Sequence, residues 1–300
     1  MGNRMIGVMF LVLILMMSSI GQAAPFNVVG SGQVPLALTG ATGLVGWDMD
    51  SQGTIEAIGT GLPPSNALTG AQAKLLARRA ALADAYRNLA EVIGSVQVDS
   101  ATTLRNLQIE SDVVNTKVSA VIQGAKIVKE QYQADGSYIV VLSVKMYGEN
   151  SVAGIAFGGL RQEQTLDFPK PITGYEIEPK YNLPSNAYTG IIIDARGLGV
   201  ESTYSPRIYD ESGRIIYGNQ YIDVDFAISK GMVGYTRDND MYTSAVQGQS
   251  RAGNRPLIIK AIKVVDNDCN VVISNADAEA LLSHNQVGNF LHNCAVVFAI

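Results

Sequence analysis

The sequence predicts an α+β fold of two units, each a mainly antiparallel sheet with one or two covering helices, and three observations predict it. A sustained helical period runs through residues 70–93; three turns, at 134–136, 211–213 and 266–268, separate pairs of alternating runs; and a stretch rich in Gly, Pro and Gln from 149 to 182 has no period at all and reads as a linker. The units are then residues 54–148 and 183–300.

The chain opens with one charge, Arg4, followed by the apolar run MIGVMFLVLILMM from Met5 to Met17 and the small, polar stretch SSIGQAAP. Such a run is too short to span a bilayer, which needs about 20 residues, and it reads as a secretory signal peptide cleaved after Ala23. Residues 24–53 form a glycine-rich arm. Within it LTGATGLVG (38–46) spells a dinucleotide-binding turn, but Pro35 precedes it and WDMDSQG follows it, so neither the strand nor the helix that this chemistry requires is supplied. No cofactor is expected.

In the first unit TIEAIGTG (54–61) alternates like a strand, and Thr69 with Gln72 announces a helix start. Leu75, Leu82, Tyr86, Leu89 and Ile93 then form the stripe expected to face the core, with Gly94 as C-terminal cap; Lys74, Arg78 and Arg87 lie off it, Arg87 within reach of Glu91. A polar segment (101–106) and a weaker helix (112–122) follow, and then AKIVKEQYQ and SYIVVLSVKMYG flank Ala134-Asp135-Gly136, a strong hairpin signal.

The second unit is rich in strand. GIIIDARGLG opens it; Glu211-Ser212-Gly213 and Asp266-Asn267-Asp268 are turns between alternating runs; NADAEALLSH reads as a short helix capped by Asn275; and the apolar run AVVFAI is expected to be a central strand, buried on both faces. The loop PSNALTG (64–70) returns as PSNAYTG (184–190), identical at six of seven positions, ahead of the core of each unit.

Composition excludes some function classes. With 22 basic and 27 acidic side chains the formal charge is −5, and removal of Arg4 with the signal peptide takes it to −6. The only basic pair is Arg78-Arg79, so there is no footprint for nucleic acid or anionic lipid. Two cysteines, Cys269 and Cys294, in an oxidising compartment are expected to form one disulfide worth ~3 kcal/mol.

Catalytic patterns are incomplete. GQSRA (248–252) lacks the glycine that ends a nucleophile elbow, and DMDSQG and DNDCN each miss part of a calcium loop. GIIIDARGLG has Arg196 and Gly197 where a zinc amidase has a glycine and a ligating histidine, and arginine cannot bind the metal. His284 and His292 with Cys294 are the remaining combination, so no metal is expected and a cell-wall-directed or metal-dependent hydrolase stays as the alternative reading. Candidate binding residues are Asp194 and Arg196, as a buried or half-buried ion pair with another strand or, at Arg196, as an anchor for a ligand carboxylate or phosphate, and Arg78 on the exposed side of the long helix.

At ARRAALADAYRNLAEVIGSVQVDSATT and again at GAKIVKEQYQADGSYIVVLSVKMYG the chain resembles the LPP-twenty family of bacterial cell-envelope lipoproteins, and is similar to the N-terminal domain of the flagellar assembly protein T. The resemblance covers about residues 54–148 and rests on the order helix, Ile-Gly-x-Val, Asp-Gly hairpin. It implies an exported, non-enzymatic envelope protein, periplasmic or associated with the outer membrane, acting through contacts with other envelope or flagellar proteins. It brings no active-site residues. No cysteine stands near residue 20 to carry a lipid, so no direct lipid anchor is expected.

Overall fold

Two glycines and three alanines set the first unit. Gly59 and Gly61 of β1 (Thr54–Gly61) lie under α1 (Gly70–Ser95), and the backbones approach so closely that a Cβ on Gly59 would stand 2.1 Å from Ala85 N and one on Gly61 2.2 Å from Ala77 O. Only small residues permit this contact. The buried face of α1 is therefore Ala77, Ala81, Ala85 and Leu89, four residues apart, continued by Val92 and Ile93. This corrects the expected stripe. Leu89 and Ile93 are core residues, but Leu82 and Tyr86 only flank the core and Leu75 is 63% exposed. Thr69 caps the helix as expected, its hydroxyl accepting from Gln72 N at 3.1 Å, whereas Gly94 is buried within the last turn and Val96 follows it as the cap.

The computed structural model describes residues 53–67, 69–158, 165–172, 188–237 and 250–300. The expected signal peptide and the expected glycine-rich arm up to residue 52, with LTGATGLVG, lie outside the described residues, as do parts of both PSNA loops and of GQSRA.

Two short helices, α2 (Leu104–Glu110) and α3 (Asp112–Gln123), lead from α1 to the hairpin of β2 (Lys126–Tyr132) and β3 (Tyr138–Lys145). Asp135 closes that turn by accepting from Ser137 N at 2.9 Å and Ser137 Oγ at 2.7 Å. Among the described residues the sheet runs β1-β3-β2 and is antiparallel. Both edges are guarded. On β1, Thr60 N–H donates to Asp84 Oδ2 at 3.0 Å and Ile58 C=O accepts from Asn88 Nδ2 at 2.7 Å, so α1 satisfies backbone groups that a foreign strand would otherwise pair. On β2, the exposed Lys126 and Lys129 flank a bulge.

The stretch read as a linker contains α4 (Val152–Gly158), with Val152, Ala153, Ile155, Ala156 and Phe157 buried. After it come β4 (Gly190–Asp194), β5 (Ile208–Asp210), β6 (Ile215–Tyr217), α5 (Val224–Lys230), β7 (Gly234–Thr236), β8 (Pro256–Lys260), β9 (Lys263–Val265), β10 (Asn270–Ile273), α6 (Asn275–Gly288) and β11 (Val296–Ala299). Among the described residues they form two four-stranded sheets, β6-β5-β10-β9 and β7-β11-β4-β8. The α+β class is what the structure shows. Within it, the second of these sheets differs from the antiparallel expectation, because all three of its pairings are parallel. The expected central strand is found: β11 lies between β7 and β4 with all four residues buried. The chain crosses from sheet to sheet in two residues, Ala261 N–H bonding to Asp194 O and Ile262 N–H to Val272 O. The cap of α6 is Ser274, one residue before the expected Asn275.

A single hydrophobic cluster runs through both units, from Ile55 and Leu89 to Ile191 and Phe298. Backbone bonds tie them: Tyr204 N to Gln97 O, Ser205 N to Val98 O and Gly148 N to Ile228 O, with Asn267 Nδ2 on Ser100 O at 2.8 Å. The Tyr204 ring stands edge-on to both Tyr147 and Phe157.

The expected Cys269–Cys294 disulfide is not formed; both cysteines are free and buried. Cys269 leads into β10 and Cys294 towards β11, strands of different sheets, and each thiol has its own neighbour: Asn267 O for Cys269 and the Tyr217 hydroxyl for Cys294. Burial pushes both thiols up to about 11, so neither is a ready thiolate.

Candidate functional site

The charged candidates Arg78, Asp194 and Arg196 are each engaged with another side chain. Arg78 turns toward the sheet, Nε donating to Glu130 Oε2 of β2 at 2.8 Å, while Lys74 lies over the Tyr132 ring. It is thus a flank residue bracing α1 on the hairpin. Arg87 pairs with Asp84, which also holds β1, instead of with the expected Glu91. At the end of β4, Arg196 binds Asp194 with both prongs of its guanidinium, Nε to Oδ1 at 2.8 Å and Nη2 to Oδ2 at 2.7 Å. The pair joins the end of β4 to the turn that follows it, instead of reaching another strand as expected. Those hydrogen bonds hold the Asp194 carboxyl below its ordinary range, and Lys260, its register partner on β8, acts in the same sense.

The histidines occupy different settings. His284 is buried against the Tyr188 ring, and His292 stands edge-on to Phe168 at 4.8 Å between centroids. Among the described residues no group of three His, Cys, Asp or Glu side chains is placed to share a metal ion.

The arrangement the sequence did not reveal centres on Arg214. Its Nε donates to Asp210 Oδ2 at 2.9 Å and its Nη2 to Glu279 Oε1, which joins the β5–β6 turn to α6. Both carboxylates are deep, with side chains 2% and 3% exposed. The spacing Asp210 to Arg214 around a turn was a readable signal for half of this network. Glu279 was not readable, because it sits in a helix whose Ala and Leu neighbours mark it only as one more polar position.

Across this network lies an extended segment, residues 165–172. Leu166 N–H donates to Gln220 C=O at 2.8 Å; the Phe168 ring packs among Tyr217, Tyr221 and His292; Lys170 C=O faces Arg214 Nη1; and Ile172 N–H donates to Glu279 Oε2 at 2.5 Å. Contacts at 166, 168, 170 and 172 have the period of a β-strand laid on a surface. Its hold is light. Leu166 and Ile172 remain 55% and 56% exposed, whereas the Glu279 carboxylate that receives the segment is buried.

With that geometry in place, comparison with known families is informative. Residues 62–145 match the LPP20 lipoprotein family. The match begins just after β1 and spans α1, the short helices and the hairpin, and so falls on the elements that carry the resemblance read from the sequence. Residues 190–300 match a second family model, the second domain of Treponema pallidum Tp0624, which begins at β4 and takes in both four-stranded sheets. No curated protein matches the chain.

Proposed function

We propose that the protein is an exported, non-enzymatic component of the cell envelope that acts by contacts with other proteins. The LPP20 lipoprotein match over residues 62–145 carries this reading. The pairing of Arg78 with Glu130, Arg196 with Asp194 and Arg214 with Asp210 and Glu279 supports it, because these charges are committed to the fold. The second half contributes surfaces instead of reacting groups, and a partner instead of a lipid holds the chain at its site. Association with flagellar proteins is the finer form of the same proposal.

Cell fractionation with mass spectrometry of the mature N-terminus tests it. The expected outcome is envelope-fraction protein beginning at Ala24, which releases no soluble fragments from isolated cell wall. Cytoplasmic protein still carrying Met1 would overturn export, and released wall fragments would establish the hydrolase alternative.

A further inference from the structure

The segment 165–172 and the surface beneath it are unequal partners. The surface is built: Arg214 is fixed between two buried carboxylates, Tyr217 is fully buried with its hydroxyl on Met232 O at 2.7 Å, and Tyr221 donates to Ile215 O at 3.2 Å. The occupant is laid on it through three backbone groups and one ring. Backbone recognition of this kind does not depend on the occupant's side chains. Gln220 C=O and Glu279 Oε2 each take an amide hydrogen and Arg214 faces a carbonyl, so the sequence requirement falls on the aromatic residue that enters the slot. Pro169 and Pro171 have no amide hydrogen, and both fall at the odd positions, where the surface asks for none.

We infer that this groove is a recognition site for an extended peptide, filled here in cis by residues 165–172. Its ligand in trans is a segment of a partner protein with an aromatic residue followed by proline, in the register Leu166-x-Phe168-Pro169-Lys170-x-Ile172, competing with the protein's own segment. The inference deepens the proposed function by giving its contacts a site, and it rests on that reading for the source of the partner. Because residues 165–172 are covalently tethered, they compete at a high effective concentration, so the intact protein binds an external peptide weakly until the tether's anchor is lost. Phe168 is that anchor.

The test uses the mature full chain and a fluorescent peptide of residues 165–172. Fluorescence anisotropy is expected to show the peptide binding Phe168→Ala protein at least tenfold more tightly than wild type. Tyr221→Ala in the Phe168→Ala background, verified as folded by circular dichroism, is expected to abolish binding, as is replacement of the peptide's own phenylalanine by alanine. Amide exchange provides a second readout: excess peptide should speed exchange at Leu166 and Ile172 of the wild type, whose amides it displaces. Equal binding to wild type and Phe168→Ala, binding that survives Tyr221→Ala, or no binding to folded Phe168→Ala each overturn the inference. These outcomes are separate from those of the fractionation experiment, since a cytoplasmic protein with a working groove would refute the localisation alone.

Discussion

At the scale of single residues, the smallest side chains carry the largest consequences. A methyl group on Gly59 would stand 2.1 Å from a backbone nitrogen that no rotamer change can move away. Gly59→Ala is expected to cost about 3 kcal/mol or more, and Leu75→Asp, at an exposed site on the same helix, no more than about 0.5 kcal/mol. Urea melts of the two variants check this, and comparable losses would mean that α1 does not rest on β1 as described. The thiols make a second test. Both are buried and free, so alkylation of native protein under non-reducing conditions should label neither, alkylation after unfolding should label both, and reductant should leave the melting temperature unchanged. A melting temperature that falls with reductant would restore the bridge.

Between elements, the Arg214 network joins the β5–β6 turn to α6. Arg214→Ala would leave two deep carboxylates without their cation, at an expected cost of about 3–5 kcal/mol. Its pH dependence has a definite sign. Burial pushes Asp210 up, but the bonds from Ser212 and Arg214 together outweigh it and hold the carboxyl below its ordinary value. A depressed folded-state pKa means that the unfolded chain takes up the proton first as pH falls. The contribution is therefore complete above about pH 4 and lost below it. In Arg214→Ala the bonds from Ser212 and from the backbone amide of residue 214 remain while those of the guanidinium are lost, so Asp210 is held down less and the variant's stability should fall less between pH 5 and pH 3 than the wild type's. Urea melts at pH 5 and pH 3 check it, and an equal fall in both proteins would show that the Arg214 side chain does not hold the Asp210 carboxyl down.

Legibility follows from the same elements. The hairpin was readable because Asp135-Gly136 is local turn chemistry, and the start of α1 because Thr69 and Gln72 are three residues apart. The buried face of α1 was misread because alanine weighs little in an apolar count, although its smallness is what the glycines of β1 require. Strand direction in β7-β11-β4-β8 was invisible for another reason. Parallel pairing depends on which distant runs become neighbours, and Ile191–Ile193 reads alike in either direction. Asp194 and Arg196 were expected to pair with another strand, and their pairing with each other across two residues was not read. The groove was missed because residues 165–172 have no period of their own and take their order from Gln220, Arg214 and Glu279.

At the scale of the whole molecule, one core serves both matched regions. Residues 97–100 are bonded by Tyr204, Ser205 and Asn267, and Met146 O accepts from the Tyr204 hydroxyl. A fragment of residues 53–148 is expected to lose cooperative melting, although it includes the whole LPP20 match, because removing the second half uncovers Met146, Val96 and Val98. Calorimetry of the fragment and of the mature chain decides it; a sharp, independent transition in the fragment would show that the first unit needs no support.

The place of β11 also sets an order of events in time. The strand at the middle of its sheet is later in the chain than β4, β7 and β8, so β4 and β7 cannot become neighbours through it until residues 296–299 are free to enter the gap. A ribosome or a translocation channel that delivers this chain from its N-terminus therefore releases β4, β7 and β8 into a sheet that stays open until residues 296–299 have emerged. The first sheet, by contrast, has all three of its strands by residue 145. Vectorial delivery thus closes this sheet in one direction, with the four-residue strand β11 acting as the keystone.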